Sequence, residues 1–85
     1  MDMNAIESSL LKVLEEFAQS LPRQQVSGMR ELVIAGEAGV AFENLCTQIF
    51  EYDLIPTGHI LDQLQQIGIA MGINSKYWER LKPTA

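Results

Sequence analysis

The side chains of this chain that could do chemistry are one thiol, one imidazole and a run of carboxylates. Cys46 and His59 are the single cysteine and histidine, and they fall on different predicted helices, with no spacing that would pair a nucleophile with a base. Cys46 lies on an apolar helix face, where a free cysteine is expected to act as a small buried hydrophobe. His59 falls in the first turn of a predicted helix, where the positive helix end disfavours the imidazolium, and a surface role is expected. Glu43 and Glu51 bracket Thr47 at four-residue steps. That spacing lines them along one helix face instead of converging them on a pocket, so neither acid–base nor metal chemistry is expected of the pair. No enzyme, metal or cofactor is expected.

The carboxylates are informative as a set. From Leu32 to Ser75 the chain has no lysine or arginine but carries Glu37, Glu43, Glu51, Asp53 and Asp62, with Glu31 at the edge. Lys12, Arg23 and Arg30 come before, and Lys76, Arg80 and Lys82 after, so the net charge of −5 is concentrated in the middle. Exposed helices ordinarily mix signs through i, i+4 pairs, and this stretch cannot. An acidic face opposes nucleic acid and anionic lipid, both of which require cations. A helix-turn-helix reading fails for the same reason, since the third and fourth helices lack cations for phosphates or guanine edges. The glycines form no phosphate loop, because no Gly-Lys-Ser/Thr sequence follows a strand. A small acidic carrier or adaptor domain is the alternative class. The Asp-Ser-Leu attachment triplet of acyl carriers is missing: Ser8-Ser9-Leu10 falls inside the first helix and Ser75 precedes Lys76. The natural complement of the acidic stretch is a basic protein.

The elements that must carry these residues are legible from periodicity. Met3, Ile6, Leu10, Val13, Leu14, Phe17 and Leu21 follow an i, i+3, i+4 rhythm after a cap at Asp2 or Asn4. Pro22 turns the chain. A second helix, starting between Arg23 and Ser27, buries Val26, Met29, Leu32 and Val33, and Gly36 ends it. A third, from about Ala38 to Asp53 with Glu37 serving its start, gathers Ala41, Phe42, Leu45, Cys46, Ile49 and Tyr52 on one side. Thr57 caps a fourth that buries Ile60, Leu61, Leu64, Ile67, Gly68 and Met71 and closes at Gly72. Asn74 or Ser75 caps a short last helix with Tyr77, Trp78 and Leu81. No segment alternates with period two. The expected fold is all-α, a small antiparallel bundle of four helices plus a short C-terminal helix, with residues 1–85 as one domain.

Eighty-five residues, 47% hydrophobic, suffice for one core. The opening residues lack the basic start and apolar run of a secretory signal, and no apolar stretch reaches the roughly 20 residues of a membrane span. A soluble, cytoplasmic protein is expected, consistent with a lone cysteine.

The segment Glu31-Leu32-Val33-Ile34-Ala35-Gly36-Glu37-Ala38-Gly39-Val40-Ala41-Phe42-Glu43-Asn44-Leu45-Cys46 resembles the central signature of the MafI-type immunity proteins, small helical antidotes to polymorphic bacterial toxins. Leu21-Pro22 upstream, and Ile49-Phe50-Glu51-Tyr52-Asp53, Ala70-Met71-Gly72-Ile73-Asn74 and Tyr77-Trp78 downstream, agree in order, so the resemblance covers most of the chain. It implies stoichiometric, one-to-one binding and neutralisation of a cognate toxin's C-terminal domain, commonly a nuclease such as an EndoU-type ribonuclease. It also implies that Gly36, Ala41 and Leu45 are architectural. A basic nuclease groove would match the acids, with apolar anchors needed beside them. The residues expected to meet such a partner are Glu43, Thr47, Phe50, Glu51, Asp53, Asp62 and Ile69, with Phe50 and Ile69 as the anchors.

Overall fold

The computed structural model describes residues 1–83, which form α1 (Met3–Glu16), α2 (Arg23–Ile34), α3 (Ala38–Glu51), α4 (Gly58–Ala70) and α5 (Lys76–Glu79), with no strand among them. The protein is all-helical. Local chemistry accounts for most of the boundaries. Asp2 accepts the Ala5 N–H at 2.8 Å and Thr57 Oγ1 accepts the Ile60 N–H at 3.2 Å, so side-chain oxygens satisfy otherwise orphaned donors at the starts of α1 and α4. At the far ends of α2 and α4, Gly36 and Gly72 take φ of 86° and 67°. Each turns the chain back so that the next N–H reaches a carbonyl five residues earlier, Glu37 to Leu32 and Ile73 to Gly68.

Several boundaries differ from those read in the sequence. The first helix stops at Glu16, short of Leu21, because Leu21 precedes a proline and the N–H groups of Ser20 and Leu21 both go to the Phe17 carbonyl in a turn. Phe17 and Leu21 nevertheless stay buried. The second helix begins at Arg23 directly after Pro22, whose carbonyl accepts from Gln25 and Val26, so Gly28 lies in its interior. Tyr52, expected on the inner side of the third helix, is instead its C-cap and 49% exposed, because α3 ends at Glu51 before the ring can turn inward.

The core is continuous and wholly apolar. Phe42, Leu10, Leu14, Leu45, Ile49, Leu64, Ile67, Val13, Val33 and Cys46 are its largest fully buried side chains. Among the described residues no polar or charged residue is buried. Neighbours in sequence pack as the short connections suggest, α1 with α2 and α2 with α3. The next pair does not. α3 and α4 share no substantial packing; α4 lies against α1, and α5 contacts both α3 and α4.

Trp78 makes that junction. Its ring meets the ring of Phe42 edge-on at 6.0 Å between centroids and 72° between planes, a favoured aromatic geometry. It also lies directly on the backbone of Gly68: a Cβ there would come 2.6 Å from Cε3 and 2.7 Å from Cη2 of the indole. Only glycine leaves room for the ring. Gly68→Ala should therefore dislodge Trp78 and cost about 3 kcal/mol or more, the upper range for overpacking a core, read as a lowered urea midpoint with red-shifted tryptophan emission. An unchanged midpoint would show that the ring can be seated elsewhere.

Candidate functional site

α3 turns Ala38, Ala41, Phe42, Leu45, Cys46 and Ile49 inward. Its other side carries Glu43 and Thr47, both half-buried, then Phe50 and Glu51, both exposed. The line of acids is not left cation-free, however. α5 brings Arg80 onto its centre, with the guanidinium 4.4 Å above the Phe50 ring and Nη2 donating to Thr47 Oγ1 at 3.4 Å. A planar guanidinium stacked on an aromatic face is a stable pairing, and it covers one face of Phe50 while leaving the ring 47% exposed.

Three clefts surround this centre. Between α3 and α5, Thr47, Lys76, Tyr77 and Arg80 line a cleft of about 320 Å³. Lys76 also places its ammonium 5.4 Å from the Tyr77 ring centre. Across Thr47, a polar cleft of about 270 Å³ is lined by Gln25, Asn44, Gln48, Glu51 and Tyr52. There Gln48 Nε2 donates to Gln25 Oε1 at 3.1 Å, while Gln48 Oε1 is buried without a partner. The third cleft, about 370 Å³, runs past Phe50, Asp53 and Ile55 to Arg80, Lys82 and Pro83.

Asp53 sits at the C-terminal end of α3 with φ of 55°, the left-handed position that Gly36 and Gly72 occupy in α2 and α4. Its own N–H goes to Phe50 and that of Leu54 to Ile49, the same closing pattern. An aspartate is doubly disfavoured there: it has a Cβ where glycine has none, and its carboxylate faces the negative end of the helix dipole.

Thr47, Phe50, Glu51 and Asp53 are thus gathered around the C-terminal half of α3, with Glu43 one turn before. Asp62 and Ile69 do not join them. Both are exposed on α4, Ile69 to 63%, and neither lines the three clefts. Ile69 is not packed against a neighbouring helix, so it remains an accessible apolar side chain apart from the α3 surface. Glu37 starts α3 with its backbone only; its side chain makes no capping hydrogen bond. Sequence reading missed Arg80, Lys76, Tyr77 and the amide group of Gln25, Asn44 and Gln48. One signal was available: Lys76 and Arg80 stand four apart, opposite the Trp78 and Leu81 that α5 buries.

Cys46 and His59 do not converge. Cys46 is fully buried in the core and His59 is exposed. Burial pushes the Cys46 thiol up to about 12, partly offset by Arg80 and reinforced by Glu43. Among the described residues no three His, Cys, Asp or Glu side chains are grouped to hold a metal ion, and no helix is long and apolar enough to cross a membrane. No family model, curated protein or solved structure matches the chain.

Two outcomes follow for stability. Asp53→Gly should raise it by about 1 kcal/mol, by relieving the left-handed strain and the unfavourable charge, measurable as a higher urea midpoint at unchanged slope. Cys46 binds its proton more tightly folded than unfolded, so stability is whole below the unfolded thiol's pKa near 9.0 and falls as pH rises toward 12. The slope should approach ~1.4 kcal/mol per pH unit, and Cys46→Ala should lack this component in denaturation curves taken from pH 8 to 11.

Proposed function

We propose that this protein is a non-catalytic immunity protein of the MafI type. It binds a toxin's C-terminal domain one to one in the cytoplasm through the outer face of α3. The toxin domain is a basic nuclease, with an EndoU-type ribonuclease favoured by the resemblance. The observation that carries the reading is the polar cleft beside Glu51, where the Thr47 hydroxyl, the Asn44 amide and a carboxylate surround space for a cationic side chain. A lysine or arginine from a nucleic-acid-binding groove supplies hydrogen-bond donors and the opposite charge together.

The flanking residues suit a protein interface. Phe50 and Tyr52 are each about half exposed, and Ile55 is 82% exposed. Aromatic residues beside polar clefts are the usual anchors of protein binding, with rim acids adding rate and specificity more than affinity. Asp53 adds a carboxylate at the edge of the same surface, lining the cleft that runs past Phe50. The acids of α4 are secondary in this reading, because Asp62 lies away from the clefts.

The test is association with an EndoU-type ribonuclease toxin domain, measured by stopped flow across a salt series. Changing both Glu43→Lys and Glu51→Lys should slow association about ten-fold or more at low salt and flatten its salt dependence, the usual scale of electrostatic steering. The circular dichroism spectrum should stay unchanged. Equal rates for the two proteins at low salt would sink the acidic-face reading.

A further inference from the structure

We infer that the cleft lined by Thr47, Lys76, Tyr77 and Arg80 is a receptor for a carboxylate side chain of a protein partner. The acidic face then reads alternating charge rather than positive charge alone. This rests on the proposal that the α3 face binds a partner, but the cleft can be probed without one.

The donors are convergent and unspent. Arg80 has five N–H groups and uses Nη2 on Thr47 Oγ1. Its Cζ lies 4.4 Å from the Phe50 ring centre, a contact that narrows the guanidinium's freedom before any ligand arrives. Lys76 stands one helical turn earlier on the same side of α5 and lines the same cleft. Among the described residues, Arg30 is paired with Glu15 and Lys82 with Glu79, but no carboxylate lies within 4.0 Å of the Lys76 or Arg80 charge. Two like charges therefore face one cleft in a protein of net charge −5. They repel each other, and an anion between them relieves that.

The surroundings select the anion. Glu43 and Glu51 lie on either side of Thr47, each four residues away and so about 6 Å along the helix axis. A nucleic acid or a phosphate dianion would set its additional charge against these carboxylates. A single carboxylate flanked by cations meets all three sites, its own charge at Lys76 and Arg80 and its neighbours at Glu43 and Glu51. The partner is accordingly a basic surface with an acidic residue at its centre.

The probe is sodium acetate, titrated at constant ionic strength against sodium chloride and followed by ¹H–¹⁵N shifts of backbone amides and the Arg80 Nε–H. Saturable shifts confined to Thr47, Lys76, Tyr77 and Arg80 are expected. They should weaken at least five-fold in the Lys76→Gln/Arg80→Gln variant, whose fold is checked by tryptophan emission. Linear shifts shared with Lys12 and Arg23, or saturation unchanged in that variant, would overturn the proposal. Tighter binding of inorganic phosphate than of acetate would overturn the carboxylate assignment in favour of a phosphate site. A helical peptide with lysines four residues either side of an aspartate should bind at least five-fold tighter than its asparagine counterpart; equal binding would remove the protein-partner claim. If acetate saturates while charge reversal at Glu43 and Glu51 leaves toxin association unchanged, the immunity reading fails and the cleft stands. The opposite pattern removes the cleft alone.

Discussion

The contact of the Trp78 ring with the bare backbone of Gly68 is the constraint on which the rest depends. α5 is four residues long, too short to be helical by itself. It is held because Trp78 and Leu81 enter the common core, with Trp78 closing against Phe42 of α3 and Gly68 of α4. Those two helices follow one another in the chain yet share no substantial packing. The indole packs against both, and a single methyl group on α4 would deny it space.

That packing has an electrostatic consequence. Once Trp78 is seated, the opposite side of α5 is directed at α3, and Arg80 comes to rest on Phe50 and Thr47. A face that is all acid along the chain becomes acid, cation, acid in space. The thiol of Cys46 senses both signs, with Arg80 and Glu43 pulling in opposite directions on a group dominated by its burial. Core and surface are therefore coupled: the side chain that completes the hydrophobic interior also positions the cation that patterns the outer face.

The signature from Glu31 to Cys46 divides along the same line. Ala41, Phe42, Leu45 and Cys46 are fully buried, and Gly36 supplies the left-handed turn into α3, so these positions are architecture. Glu43 and Asn44, interleaved with them, face outward, and Asn44 lines the polar cleft with Gln48 and Glu51. Asp53 shows the tension between the two demands. It closes α3 where glycine would close it better, and it does so at the edge of the cleft that runs past Phe50.

By itself the sequence determined the helices, the cap at Thr57 and a first cap at Asp2 or Asn4, the glycine closures at 36 and 72, and nearly all of the core, because an apolar stripe with a 3.6-residue period is a local property. It also marked α3 as the face to examine, since the four-residue spacing of Glu43, Thr47 and Glu51 puts them on the outer side of one helix. It misjudged the end of the first helix and the side of Tyr52, where a turn replaces the last helical residues. Only the tertiary structure decided that α4 packs on α1, that Asp62 and Ile69 stand apart from the α3 acids, and that Lys76 and Arg80 come to the α3 face. Those outcomes depend on contacts between residues some thirty positions apart, such as Thr47 with Arg80. They are set by which side chains fit together in the core, a long-range condition that no local period records.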